Sequence, residues 1–316
     1  MAVIQGRQTF VKVGKETTWG TAVSATVSSR VTSTALLRQQ QRNQNTFLST
    51  GDAGYSQGFY DGFEETGGSI EFPVYYEGSG IWIEAALGSS STDSSGAPTY
   101  VHTYTPALAQ PSLSIINQRG SGSSEKFYGM IVSTISITCE AGGEMMASVD
   151  LIGKSADART GSISPSFGTG RQVLHFEAAQ IDFNATNYDL RSMNLTIDNK
   201  TSRRNLLGSK LTAEPTTDDL REVTLQCVMD VESATENNLY NESLGGTQGT
   251  VTLSFTNSDS DIFKVQLYNA VILEYDDAIN SIGRVERTVT FQGYSDSSNP
   301  SVKITITNQQ NSAIAN

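Results

Sequence analysis

The chain has 316 residues, 37% of them hydrophobic, 17% charged and 8% aromatic, with a formal net charge of −12. That apolar share supports a core and excludes wholesale disorder, and the length suits about two domains of roughly 100–200 residues each. The excess of acid argues against tight binding to duplex nucleic acid, which needs cations to displace counterions.

The opening, Met1 to Gln8, lacks a basic-then-apolar layout, so no secretory signal is expected. No apolar run reaches the ~18 residues that cross a bilayer, so no membrane association is expected. Cys139 and Cys227 fall on apolar phases of candidate strands and read as buried free thiols of a reducing compartment.

Ile70, Phe72, Val74 and Tyr76 alternate with polar residues and predict a strand. Before it, Ser49–Gly68 reads as a long loop carrying Tyr55, Phe59, Tyr60 and Phe63. Four aromatics in a loop of that length suit a segment that orders against another molecule. Gly80–Leu87 has helical periodicity, and serine-rich stretches at 88–99 and 118–125 read as surface tips. Ile131, Ile135, Ile137 and Cys139 predict a second strand, and 153–170 has the composition of an exposed linker. In the second half, alternation recurs over Val223–Val231 and Phe263–Tyr275, separated by a helical stretch at Glu236–Leu244. A last strand over Val302–Ile306 precedes a polar tail expected to fray. The fold class is therefore all-β, with one short helix per half.

The halves resemble each other. Phe127–Glu140 aligns with Phe263–Asp276 at an offset of 136, and Gly143–Ser155 aligns with Gly283–Ser295. Ser112–Ile115 lies over Thr250–Leu253, and Ile70–Glu77 over Val223–Asp230. Collinear order points to two tandem copies of one β-sandwich or partial-barrel unit, too long in period for a solenoid. The expected boundaries are 1–155 for the first copy, 156–176 for a linker, 177–296 for the second copy and 297–316 for a C-terminal extension.

Catalytic constellations are missing. His102 and His175 stand apart, and neither a G-x-S-x-G elbow nor a phosphate-cradling loop is present. Asp259 with Asp261, or Asp276 with Asp277, lacks the spacing of a calcium loop. No enzyme activity, cofactor or metal is expected. The informative feature is the polar side of the strands: Glu71, Thr134, Ser136, Thr138, Glu140, Glu144, Ser148, Asp150, Glu222, Thr224 and Glu274. One reading is an ordinary solvated face. The other is a smooth, weakly acidic wall, formed when strands pair across subunits into a closed barrel that repels nucleic acid. Lys264, Arg284 and Arg287 depart from the acidic pattern.

Gly14-Lys-Glu-Thr-Thr-Trp-Gly-Thr21 resembles the opening of the tail tube proteins of long-tailed, siphovirus-type bacteriophages. The same order follows in Ala85–Gly88, His102–Pro106, Tyr128–Ile137, Ser148–Gly153, Met193–Asn199 and Leu207–Ser209. The resemblance implies ring-forming subunits stacked into a tube, with the polar residues above facing the lumen. The hairpins Tyr128–Gly153 and Lys264–Gly293, with strands 69–76 and 222–230, would supply the wall. Loops 49–68 and 202–220, with Tyr55, Phe59, Tyr60, Phe63, Arg203 and Arg204, would touch neighbouring subunits. Two units per chain imply a trimer with pseudo-sixfold symmetry, a decorated hexamer being the alternative. The implied partners are further copies of the chain, the tape-measure protein, tail terminator and distal tail or baseplate proteins, and double-stranded DNA in transit. The implied location is the virion tail, assembled in the bacterial host cytoplasm. A carbohydrate-binding, adhesin-like β-sandwich using Trp19, Trp82 and the loop aromatics is the second reading.

Overall fold

The computed structural model describes residues 6–44, 58–167, 172–184, 186–231, 237–257, 259–278 and 285–313. The first half runs β1 (Phe10–Lys15), β2 (Val27–Arg30), β3 (Ser33–Thr34), β4 (Leu37–Gln44), β5 (Phe59–Pro73), α1 (Gly80–Leu87), β6 (Gly88–Asp93), β7 (Tyr100–Pro106), β8 (Leu113–Arg119), β9 (Ser123–Glu140), β10 (Met146–Gly153) and β11 (Ser155–Ala156). The second runs β12 (Ala179–Phe183), β13 (Thr186–Tyr188), β14 (Leu190–Asp198), β15 (Thr201–Arg204), β16 (Ala213–Thr217), β17 (Glu222–Asp230), α2 (Asn237–Gly245), β18 (Gly249–Thr256), β19 (Ile262–Asp276), β20 (Glu286–Gln292) and β21 (Val302–Asn308).

The molecule is all-β. One continuous sheet crosses both halves in the order β4–β5–β10–β9–β14–β17–β20–β19. Two further sheets back it, β2–β1–β8–β9–β11 and β6–β7–β21–β19–β18–β12–β13. Strict alternation puts Ile70, Ile135, Leu195, Leu225 and Phe291 on the covered side of the shared sheet, each at most 2% exposed. The sandwich core lies between the layers. Trp82 is 1% exposed in α1, stacked on Phe72 at 5.2 Å with its indole N–H donating to Ser29 Oγ.

The long strands β9 and β19 each belong to two sheets, and bulges let them bend from one to the other. In β9 the registers shift opposite Leu113/Ile115 and opposite Asp150/Leu151. In β19 they shift opposite Gly249/Val251 and between Ile272 and Glu274. The first bulge holds Gly129 at φ +65° and Asn269 at φ +48°, the second Ser133 and Leu273, so each pair lies 140 positions apart. The aligned offset of 136 between these strands is thereby corrected: Ile131 corresponds to Val271, because they oppose Ile152 and Gln292. Ile70 corresponds to Cys227, because they oppose Val149 and Val289. Leu113 corresponds to Gly249, opposite Met130 and Ala270.

Several expected loops are ordered pairs. Phe59–Gly68 belongs to β5 and pairs with β4, so the loop expected over 49–68 ends before it; Tyr55 lies outside the described residues. Gly88–Asp93 is strand β6, and 202–220 contains the β15–β16 hairpin. The expected linker is partly built in, since Ala156 and Leu174 are buried and Val173 bridges to Tyr75. The C-terminal segment is no appendage. Strand β21 lies between β19 and β7, and the residues after it are tied by Tyr104, whose hydroxyl donates to the Ala313 carbonyl at 2.7 Å.

Candidate functional site

The exposed face of the shared sheet is built by register. Across the strands, Glu71 faces Ser148, Ser148 faces Ser136, Ser136 faces Thr196, and Thr196 faces Thr224. The next row runs Ser69, Asp150, Thr134, Asp198, Glu222. A third runs Met146, Thr138, Asn194, Gln226, Thr290, Glu274. Glu140 lies beyond these, opposite Ser192. Of the wall residues read from sequence, Glu144 falls outside the strands, at the β9–β10 turn, where it bridges to His175. Short hydroxyl and amide side chains thus cross from one half to the other in the first and third rows, and carboxylates join them in the second.

The face carries acid with little base. Lys200 binds Asp198 at 2.7 Å and Glu222 at 2.9 Å, and Arg191 pairs with Glu286 and Asp230 at one end. Burial pushes the Asp198 carboxyl up, but the hydrogen bonds from Lys200 outweigh it and leave the carboxyl below its usual range. The basic departures resolve in part. Lys264 lies in the part of β19 that pairs with Ser254 and Thr305, in a backing sheet, so the Lys264 end of the expected wall hairpin lies outside the shared sheet. Tyr128 likewise pairs with Ser155 in the other backing sheet. Arg287 points into the core at 1% exposure, and Arg284 lies outside the described residues.

The sheet has two open edges. Among the described residues, β4 pairs only with β5, and Glu274–Asp276 of β19 pair only with β20. The β4 edge is exposed at Leu37 (60%), and next to it Phe59 (64%) and Tyr60 (56%) are exposed on β5, with Phe63 half-buried. Arg203 does not stand free for a neighbour: its guanidinium donates to the Thr66 carbonyl at 2.7 Å, and burial lowers its pKa. Arg204 is exposed. With Lys210 bound to Asp61 at 2.8 Å, the β15–β16 hairpin is docked on β5.

Sequence reading missed the residue that makes the N-terminal motif necessary. Glu16, 5% exposed, accepts hydrogen bonds from Ser112 Oγ (2.7 Å), Ser114 Oγ (2.8 Å) and the backbone N–H groups of Gly20 and Gly129 (2.9 Å each). Gly129 is the first bulge of β9, and a Cβ there would lie 2.8 Å from Lys154 Cβ and 3.2 Å from the Gly20 backbone. The Gly14–Thr21 segment therefore fastens the bend through which β9 enters the shared sheet. A carboxylate inside an otherwise polar run gives no warning of this in sequence.

A family model described as phage tail tube protein matches residues 6–293. The chain belongs to the phage tail tube protein family. No curated protein matches it. Membership in the tail tube family makes this a structural protein of the virion tail. The sugar-stacking reading loses its platform at Trp82, which is core; Trp19 is half-buried, with Lys154 Nζ 5.0 Å from its ring centroid.

Proposed function

We propose that this tail tube protein is a non-enzymatic building block whose two halves are copies of one unit, and that three chains close into a ring with pseudo-sixfold symmetry. Stacked rings form the tube of a siphovirus-type tail. The polar face of the shared sheet lines its lumen, holds the tape-measure protein before infection and passes double-stranded DNA during ejection. Tail terminator and distal tail or baseplate proteins cap its ends, and assembly takes place in the host cytoplasm. The exposed aromatics Phe59 and Tyr60 serve contacts between subunits or rings.

The observation that carries this reading is the unbroken register of Glu71, Ser148, Ser136, Thr196 and Thr224 across the junction of the halves. A wall for a moving polyanion must be smooth, and strand pairing without a gap supplies that. The set β4, β5, β10, β9 recurs as β14, β17, β20, β19, so each chain contributes two equal arcs. Cryo-electron microscopy of the concentrated protein tests the reading. Hollow tubes of threefold rings are expected; sixfold rings of whole chains overturn the symmetry, and a stable solitary monomer overturns the function.

A further inference from the structure

The junction between the halves fixes how one chain meets the next. Within the chain, β9 of the first set pairs with β14 of the second: Thr134 faces Asp198, Ile135 faces Ile197, and Ser136 faces Thr196. The same two positions of the repeated set are the open edges. The free end of β19 corresponds to β9, with Glu274 at the position of Thr134 by the shared bulge. Strand β4 corresponds to the end of β14. Gln39 faces Glu65, Asp198 faces Glu222, and Glu65 and Glu222 hold equivalent places relative to β10 and β20.

From this placement we infer that β4 of one chain pairs antiparallel with the end of β19 of a second copy, with Gln39 opposite Glu274, Arg38 opposite Tyr275 and Leu37 opposite Asp276. The inference rests on the proposed ring, and adds its register. Charge supports the same occupant. Residues 37–44 hold Arg42 and Arg38, the latter paired with Glu64 of its own chain at 2.8 Å, and no acid, whereas residues 271–277 hold Glu274, Asp276 and Asp277 and no base. Two edges of opposite charge, each without an outer strand among the described residues, are matched to each other rather than to themselves, which makes the contact heterologous and able to close into a ring. The junction within the chain also names a pin. Asn199 Nδ2 donates to the Ala86 carbonyl at the end of α1 and to the Val132 carbonyl, both at 3.1 Å, and its backbone N–H donates to the Ser133 carbonyl. Gln40 holds the Asn199 position at the outer edge; within the chain its amide donates to the Gly62 carbonyl at 2.8 Å, and pairing with the next copy would turn it to the Ile272 and Leu273 carbonyls.

The test is a disulfide. Residues directly opposite in antiparallel strands have Cβ atoms about 4.5–5.5 Å apart, close enough to bridge with a small adjustment. The native thiols Cys139 and Cys227 are buried and do not compete. A chain carrying Gln39→Cys and Glu274→Cys, assembled and oxidised, is expected to give a covalent ladder on a non-reducing gel, its top rung being the ring. Rings or tubes in which the slipped pair Gln39→Cys with Asp276→Cys bridges instead overturn the register and leave the tube reading standing. Should the unsubstituted chain form neither rings nor tubes, the tube reading itself fails. Hydrogen exchange on the unsubstituted chain provides a second measurement if the cysteine variant does not fold. Amides of 37–40 and 272–276 are expected to slow by about tenfold or more on assembly, and unchanged rates in assembled tubes overturn the pairing.

Discussion

Glu16 shows how one buried carboxylate can hold a fold that a hydrophobic count does not explain. Replacing it with alanine leaves two hydroxyls and two backbone N–H groups without their acceptor. Each buried unsatisfied donor costs about 1–3 kcal/mol, so Glu16→Ala is expected to destabilise by about 3 kcal/mol or more. Glu16→Gln keeps one acceptor oxygen and falls between that variant and the parent. Chemical denaturation orders the three proteins, and an alanine variant as stable as the parent would show that the carboxylate is replaceable by water. Asp296 works at the surface in the opposite setting. It accepts from the Asn269 side chain at 2.7 Å and from the backbone N–H groups of Ser298 and Asn299 at 2.6 Å, and these bonds pull its carboxyl down to about 2. A carboxyl depressed in the folded state adds stability that is complete above its unfolded value, near 4, and is lost as the pH falls through its folded value, near 2. The Asn269 bulge and its turn should therefore stay closed through pH 4 and open only near pH 2. Side-chain carboxyl NMR reads the midpoint directly, and a midpoint near 4 would show that the hydrogen bonds to the charged form are absent in solution.

The elements show where sequence reading has power and where it stops. Alternation placed β9, β17, β19 and the Ile70–Pro73 end of β5, whose Phe59–Gly68 part reads as loop, and helical spacing placed α1 and α2, because side-chain period depends on local geometry alone. Which side of each strand is polar followed as well, so most of the candidate wall was legible. Register was not. The alignments of the halves were displaced by two or four residues in three strands, and such even slips leave every apolar side chain on the same face. Only the bulges break that degeneracy, and a bulge at Gly129 has its counterpart at Asn269, a different residue sharing only tolerance of positive φ. The place of β21 was illegible for another reason, since its partner β7 is some two hundred positions away and the pairing rests on tertiary contacts. His102 helps to fix that pairing. Its Nε2 lies 3.0 Å from the Gln310 carbonyl, which can only accept, so Nε2 carries the proton, while Asn308 Nδ2 donates to the Tyr76 carbonyl at 2.7 Å. His102→Ala is expected to free the C-terminal strand first, with limited proteolysis cutting after residue 296 at least several-fold faster than in the parent. Equal cutting rates would show that the β21 ladder alone secures the segment.

At the scale of the whole molecule, the proposed tube makes the sign of charge on the shared face the choice between a wall that lets a polyanion slide and one that holds it. Glu71, Glu140, Asp150 and Glu274 are set among serines and threonines there, and Lys200 is already bound to Asp198 and Glu222. Ser148 and Thr224 lie in one row but are separated by Ser136 and Thr196, so lysines at both positions do not face each other directly. Neither side chain is in the core, so Ser148→Lys with Thr224→Lys is expected to leave folding and tube formation unchanged. What it changes, under the proposed function, is the lumen. Screening shortens the reach of these charges to about 8 Å at physiological ionic strength and extends it to about 30 Å at 0.01 M salt. Particles built with the lysine variant should therefore release DNA several-fold more slowly than the parent at low salt and approach the parent rate as salt rises. The matching glutamate variant, of similar length and opposite charge, should show no such slowing, which separates charge from bulk. A fluorescence assay of triggered DNA release at two salt concentrations makes the comparison. Equal rates for the lysine variant and the parent at low salt would mean that passing DNA never comes within a screening length of this face, and the lining strands would then have to be sought elsewhere.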